Sequence, residues 1–90
     1  MTAVRIPPVL RAQVGGNKQV EVTGDSVGRV LDALVGIHPS LREQLFTTDG
    51  ELNRFVNVYV NGRDVRYEQG LETPVSASDT VVLLPAMAGG

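Results

Sequence analysis

The sequence feature that most constrains the fold is a β-hairpin signal in the second half of the chain. Valines alternate with other residues from Phe55 to Val60, which predicts a strand with one buried face. Asn61-Gly62 follows at once, and this dipeptide favours the two-residue turn of a β-hairpin. Asp64-Val65-Arg66 is the predicted return strand. A chain with this signal builds at least part of its core on an antiparallel sheet.

A second hairpin is predicted at the start of the chain. Apolar and more polar residues alternate over residues 3–6, and the predicted strand continues through Pro7-Pro8 to Leu10. Because proline has no backbone N–H to donate, this pair indicates an edge strand or a bulge. Gly15-Gly16-Asn17 predicts a turn, and the alternation over residues 19–23 predicts the partner strand.

A helix is predicted directly after this hairpin. Ser26 is a favourable residue for capping its N-terminus. Four apolar residues then recur at the spacing of one helical face, namely Val27, Val30, Leu31 and Leu34. Gly36 is the predicted helix terminator. The helix therefore has one apolar face that can pack on a sheet.

Two further elements complete the pattern. His38-Pro39-Ser40 is predicted to open a short second helical segment, in which Leu41 and Leu45 lie on the same face. Near the end of the chain, Thr80-Val81-Val82-Leu83-Leu84 predicts a last strand, which Pro85 stops.

The order of these elements predicts the fold. A hairpin, a helix, a short helical segment and three later strands follow one another, which is the order of the β-grasp fold, with its first and last strands side by side and parallel. We therefore predict an α+β protein of the ubiquitin-like β-grasp class, in which one main helix packs on one face of a mixed sheet. Residues 1–85 are the predicted domain, and residues 86–90 are a predicted flexible tail.

The outer face of this sheet is predicted to carry an apolar patch. Successive residues of a strand point to opposite faces, and the last strand is apolar on both. The residues predicted to face outward are Phe55, Tyr59, Val82 and Leu84, and they form a candidate protein-docking surface. The alternative is that segments 7–10 or 71–75 cover some of them.

The end of the chain suggests a chemistry of its own. The five-residue tail is Ala86-Met87-Ala88-Gly89-Gly90, and a Gly-Gly end without side chains can pass through a narrow enzyme channel. If the Gly90 carboxylate attacked the α-phosphate of ATP there, a sulfur donor could displace AMP and leave a thiocarboxylate. A terminal Gly-Gly is weak ground alone, because small flexible ends are common. Its place after the last strand of a β-grasp order favours the functional interpretation.

Composition argues against several other kinds of site. The chain has no cysteine, which excludes disulfides, thiolate catalysis and cysteine ligands for a metal. His38 is the single histidine, so its predicted role is structural rather than metal-binding or catalytic. The chain also lacks a phosphate-binding loop motif and a nucleophile–base set. We therefore expect no catalytic residues, no metal and no bound cofactor, with ATP used by a partner enzyme.

Charge and hydropathy bear on location and partners. The net charge of -2 comes without a cluster of Lys and Arg along the sequence, so we expect no nucleic acid partner. No segment approaches the roughly 20 apolar residues that cross a bilayer, so we expect a cytoplasmic protein. Arg5, Arg54, Arg63 and Arg66 are predicted to keep the sheet soluble rather than to contact the acidic rim of a partner.

Three segments carry a family resemblance, namely Asp25–Leu34, Arg54–Asn61 and the ending Asp79–Gly90. They resemble the MoaD/ThiS family of ubiquitin-like sulfur-carrier proteins, and they are closest to its actinobacterial CysO-type branch. The resemblance extends over nearly the whole chain, and the ending is its most specific part. It implies activation by a MoeB/ThiF-like adenylating enzyme of the ubiquitin-activating type, sulfur loading at Gly90, and delivery to a sulfur-accepting synthase.

The sequence leaves the recipient of the sulfur open. Members of the family serve cysteine, molybdopterin, thiazole or thiosugar synthesis, and we favour a cysteine-type or pathway-shared carrier. Two alternatives from other classes remain at this point. One is a passive β-grasp interaction module, and the other is a protein modifier joined through Gly90 to lysines of its targets.

Overall fold

One mixed β-sheet organises the structure, a computed structural model that describes residues 1–85. Within these residues the sheet has five strands: β1 (Thr2–Arg5), β2 (Gln19–Val22), β3 (Val56–Val60), β4 (Arg63–Asp64) and β5 (Thr80–Pro85). Their order across the sheet is β2-β1-β5-β3-β4. The predicted tail of residues 86–90 lies outside the described part of the chain.

The helices lie between the strands in sequence. The main helix α1 spans Val27–Ile37, and the short helix α2 spans Arg42–Leu45. Single turns or short runs of 3-10 helix occupy Pro8–Val14, Pro39–Leu41, Val65–Tyr67 and Gly70–Glu72. The described chain therefore has the predicted order of elements. The 3-10 segment Pro39–Leu41 lies where a helical segment was predicted, whereas residues 8–10 and 65–66 form 3-10 helix where strand was predicted.

The strand pairing confirms the predicted topology. β1 pairs with β5 in parallel, with Val4 opposite Val81, and it pairs with β2 antiparallel. β5 also pairs antiparallel with β3, which brings Val58 opposite Leu83. The first and last strands thus lie side by side at the centre of the sheet. The predicted β-grasp class is confirmed.

The core lies between α1 and one face of the sheet. Val30, Leu31 and Leu34 of α1 are fully buried, and so are the inward residues of the central strands, Val4, Val58, Val81 and Leu83. Burying one such Val or Leu side chain stabilises a fold by about 1.5–3 kcal/mol. Leu41 and Leu45 are also fully buried, which confirms the short helical segment and its inward face.

The start of α1 is as predicted, and its end is not. The Oγ of Ser26 accepts a hydrogen bond of 3.3 Å from the backbone N–H of Arg29. Gly36 does not terminate the helix, which continues through Ile37. His38 caps the C-terminus by donating its backbone N–H to the carbonyl of Leu34. The stop comes from Pro39, because a residue before proline is disfavoured in the helical region.

The prediction that the first strand runs on to Leu10 was wrong. β1 ends at Arg5, and a 3-10 helix begins at Pro8. Proline suits the first position of a helix because its missing N–H would have no partner there. The backbone N–H of Leu10 donates a hydrogen bond of 3.0 Å to the carbonyl of Pro7, rather than to a neighbouring strand. Leu10 and Val14 are buried, so this 3-10 helix closes one end of the core.

The second hairpin is confirmed, but its return strand is shorter than predicted. Asn61 and Gly62 both have positive φ angles, 50° and 86°, as the tight turn requires. β4 ends at Asp64, whose Oδ1 accepts from the backbone N–H of Arg66 at 2.9 Å. This Asp cap starts the 3-10 helix Val65–Tyr67 in place of further strand.

Candidate docking face and carboxyl-terminal strand

The outer face of the sheet carries an apolar strip at its centre. Val81 and Leu83 of β5 are fully buried toward α1, so Val82 and Leu84 point away from the helix. Tyr59 lies directly opposite Val82 in the β3–β5 pair, which makes the two side chains neighbours on this face. Leu84 is 43% exposed, and the other two are half-buried. We call Tyr59, Val82 and Leu84 the apolar strip.

Phe55 has a different position from the one predicted. It belongs to the turn before β3 rather than to the strand, and it is 62% exposed. With the exposed Val9 and with Pro85 it lines a cleft of about 210 Å³. Phe55 therefore extends the exposed apolar surface toward the end of β5.

Neither flanking segment hides the apolar strip. Pro7 and Pro8 line a cleft together with Val82 and Leu84, so the 7–10 segment borders the strip. The 71–75 segment lies beside the start of α1, where the carbonyl of Thr73 accepts from the backbone N–H of Val27 at 2.9 Å. The outer face thus presents exposed apolar surface, and its use for docking remains a prediction.

The last strand carries the chain to one edge of this surface. β5 includes Pro85, which lies opposite Val56 of β3 and is exposed. Pro85 has no N–H to donate to a neighbouring strand, and it is the last residue of β5. The predicted functional residues Gly89 and Gly90, with Ala86, Met87 and Ala88 before them, lie outside the described residues.

Arg66 has a structural part that sequence reasoning missed. Its guanidinium donates to the Oδ1 of Asn57 at 2.6 Å and to the carbonyls of Asn53 and Val56, each at 2.9 Å. Because β4 is only two residues long, it pairs with Tyr59 and Val60 alone, and residues 56–58 of β3 have no neighbouring strand on the β4 side. The guanidinium therefore takes the place of strand hydrogen bonds along the open part of β3.

A second polar cluster joins the turn of the second hairpin to the start of β5. The carboxylate of Asp79 accepts from the backbone N–H of Ser76 and from the side-chain amide of Asn61, both at 2.7 Å. These donors, the Ser76 N–H first, lower the pKa of Asp79 below its usual value. The Oδ1 of Asn61 also accepts from the backbone N–H of Thr80 at 3.0 Å. The cluster fixes the entry into β5.

Metal-binding side chains do not cluster within residues 1–85. No cluster of three or more His, Asp or Glu side chains suited to a metal ion occurs among them. His38 is half-buried at the end of α1. None of the helices described is long and apolar enough to cross a membrane.

A match to a protein-family model decides which family the chain belongs to. The model of the ThiS family matches residues 4–90, which includes both the sheet and the Gly-Gly end. The chain belongs to the ThiS family. The predicted resemblance is thereby confirmed over nearly the full length.

Individual ThiS-family relatives agree in sequence and in structure. The sulfur carrier protein CysO of Mycobacterium tuberculosis is 44% identical over 89 residues, which are 97% of this chain and 96% of the relative. The small archaeal modifier protein 1 of Haloferax volcanii is 42% identical over 82 residues, 88% of this chain and 90% of the relative. A crystal structure of the BexX/CysO complex of Amycolatopsis orientalis contains a chain that matches with a TM-score of 0.91 and 42% identity, covering 100% of both chains. By name these relatives are carriers and modifiers.

Proposed function

We propose that this ThiS-family chain is a sulfur carrier whose C-terminal carboxylate on Gly90 is converted to a thiocarboxylate by a partner enzyme. The carrier then donates the sulfur to a biosynthetic enzyme. The observation that supports this most strongly is the 44% identity to CysO, a sulfur carrier by name, over 97% of the chain. The family match also extends to Gly90 itself.

The proposed chemistry has two balanced steps. A free carboxylate is a poor electrophile, so a carboxylate oxygen of Gly90 first attacks the α-phosphate of ATP, which forms an acyl adenylate and releases pyrophosphate. Sulfide then attacks the acyl carbon, a carbon–sulfur bond forms, and AMP leaves. The product is a terminal thiocarboxylate, whose sulfur is the nucleophile delivered to the next enzyme.

The partner enzyme supplies the catalytic groups in this proposal. ATP would be bound by a MoeB/ThiF-like adenylating enzyme, because this sequence has no phosphate-binding loop motif. The chain itself contributes a substrate end with no side chains at Gly89 and Gly90, which suits a narrow channel.

In this proposal the outer face of the sheet binds the adenylating enzyme. Fixing five tail residues in a channel costs roughly 5–10 kcal/mol of conformational entropy, at about 1–2 kcal/mol each. The tail alone would therefore bind weakly. Tyr59, Val82 and Leu84 offer exposed apolar area beside the strand that leads to the tail, and burying that area against the enzyme would offset part of the cost.

A sulfur-accepting synthase is the proposed second partner. The BexX/CysO complex of Amycolatopsis orientalis supports such a partner, because a protein of 42% identity to this chain forms that complex. Cysteine and thiosugar synthesis are both proposed destinations, because the sulfur-carrier family that this chain resembles serves both.

Protein modification is a second candidate function. It is favoured by the 42% identity to small archaeal modifier protein 1 of Haloferax volcanii. A modifier would use the same adenylated Gly90 carboxylate but transfer it to a lysine amine of a target. The relatives named above lend no comparable support to the passive interaction module.

Pyrophosphate release tests the shared first step. The full-length chain, incubated with ATP and a MoeB/ThiF-like enzyme of the same organism, should release pyrophosphate in proportion to the chain added. Deleting Gly90 should abolish release. The matched control is Gly36→Ala, which changes a glycine with nothing within 4 Å of an added Cβ and should leave release unchanged. Failure of the full-length chain to support release would overturn the proposal.

A further inference from the structure

A cationic rim lies beside the apolar strip. A cleft of about 210 Å³ is bordered by Leu84 and Val82 on one side and by Pro7 and Pro8 on the other. Its remaining lining includes three cations that lie apart in sequence, Arg5, Arg11 and Lys18. The fold thus gathers a basic cluster that is not visible along the sequence.

Each cation is positioned by the fold. Arg5 is the register partner of Val82 in the parallel β1–β5 pair and is exposed on the outer face. Arg11 donates its Nε to the carbonyl of Ile6 at 3.1 Å, which fixes the guanidinium at the cleft. The backbone carbonyl of Lys18 accepts a hydrogen bond of 2.9 Å from the backbone N–H of Ile6. This bond holds the lysine next to the ends of β1 and β2.

No acidic side chain within residues 1–85 forms an ion pair with the cluster, although Glu21 lies on the same face of the neighbouring strand β2. The one ion pair in this part of the chain joins Arg63 to Glu68 at 3.8 Å. The lining of the cleft contains no Asp or Glu. Because the whole chain has a net charge of -2, this patch is a local reversal of the overall charge. Such a patch speeds association with a surface of the opposite sign.

We infer that the docking face is bipartite, with the apolar strip as its centre and Arg5, Arg11 and Lys18 as its rim. The partner is a protein surface on which carboxylates flank an apolar side chain that enters the cleft. This inference rests on the proposed function, since it assigns the surface to recognition by the adenylating enzyme. It goes further by stating the charge that the enzyme's surface must carry.

A protein is favoured over other anionic partners. The cleft is smaller than the roughly 300–1,000 Å³ of small-molecule sites, so it suits a single side chain. Binding of single-stranded nucleic acid relies on aromatic side chains that stack on bases, and the wall here is proline, valine and leucine. Apolar walls with a charged rim are instead the arrangement found at protein interfaces.

Charge reversal tests the rim. The variant Arg5→Glu/Lys18→Glu should lower the association rate with the adenylating enzyme by about tenfold or more at low salt. The difference should shrink at about 1 M salt, where the Debye length falls to roughly 3 Å. The control is Arg29→Glu/Arg42→Glu, which makes the same change in net charge on the exposed side of the helices. Equal rates for the two double variants would overturn the inference.

Further readouts separate folding and function from the rim. Circular dichroism checks that the double variant is folded, and Arg5→Gln/Lys18→Gln should give a smaller decrease in the same direction. If the wild-type chain binds the enzyme without forming a thiocarboxylate, the proposed function fails. The association rates of the two double variants still decide whether the cationic rim takes part in binding. If the wild-type chain does not bind the enzyme, the inference fails.

Other occupants of the cleft give different results. If the chain's own C-terminal carboxylate filled it, the double reversal would increase the association rate. If a second copy filled it, sedimentation equilibrium would show a dimer that the double reversal dissociates. If nucleic acid filled it, a single-stranded oligonucleotide would compete with the enzyme. Each of these outcomes would overturn the inference.

Discussion

The side-chain amide of Asn61 donates to the carboxylate of Asp79 at 2.7 Å, which ties the turn of the second hairpin to the start of β5. Ser76 adds a backbone donor at 2.7 Å. Both donors favour the ionised carboxylate and lower its pKa in the folded protein. β5 therefore begins from a fixed point beside the Asn61-Gly62 turn.

Stability should depend on the ionisation of Asp79. Its folded-state pKa is below that of the unfolded chain, so its contribution is present above the unfolded value of about 3.9 and is lost as pH falls through the folded value. Urea denaturation of the wild type and Asp79→Asn should show a gap in unfolding free energy that narrows on acidification. Asn61→Gly keeps the positive φ and should weaken this pH dependence. A gap that is constant with pH would contradict the assignment.

Loss of Arg66 should weaken the open side of β3. Arg66→Ala removes three hydrogen bonds, to Asn57, Asn53 and Val56, and should lower the unfolding free energy by about 1–2 kcal/mol. The control is Arg63→Ala, which removes one exposed ion pair of 3.8 Å and should cost less than about 1 kcal/mol. Urea denaturation measures both. The account is wrong on this point if the two variants are equally stable.

Glycine at position 24 is required by a close approach of the backbone. A Cβ there would lie 2.8 Å from the backbone nitrogen of Val30, closer than van der Waals contact allows. Gly24→Ala should therefore destabilise the fold by about 1–3 kcal/mol, as overpacking does. Gly36→Ala has open space and should stabilise by about 0.5–1 kcal/mol, because alanine favours helix. Thermal unfolding should shift in opposite directions for the two variants.

The apolar strip should matter for activation more than for folding. Leu84→Ser removes exposed apolar area on the outer face. It should raise the adenylating enzyme's KM for this chain by about tenfold, as expected for a residue at the centre of an interface. Ile37→Ser is the control, because Ile37 is 57% exposed but lies at the end of α1. Equal KM values for the two variants would remove the strip from the docking face.

Much of the fold could be predicted from local patterns. The alternation of residues 56–60 and the Asn61-Gly62 turn give one hairpin, and the spacing of Val27, Val30, Leu31 and Leu34 gives α1. These signals are strong because one buried face repeats at the period of the element. The parallel β1–β5 pair followed from their order alone.

The errors arose where a tertiary contact decides the local structure. Residues 8–14 form a 3-10 helix because Leu10 and Val14 pack into the core, which no periodicity reveals. The return strand ends early because Asp64 caps a 3-10 turn and Arg66 bonds to β3. The basic rim needs three segments to converge, so its residues are separated in the sequence.

Of the candidate site, the outward direction of Tyr59, Val82 and Leu84 could be predicted from strand parity. Phe55 could not be placed, because it precedes the strand whose parity was used. The role of Gly90 was derived from chemistry at a chain end and from family resemblance, and it remains a proposal.

The intact mass of the chain tests the central claim most directly. The purified full-length protein would be incubated with its MoeB/ThiF-like enzyme, ATP and sulfide, and its intact mass would then be measured by mass spectrometry. We predict a mass increase equal to the exchange of one oxygen atom for sulfur, located by fragmentation at Gly90. An unchanged mass, or a chain found only as conjugates to other proteins, would contradict the account.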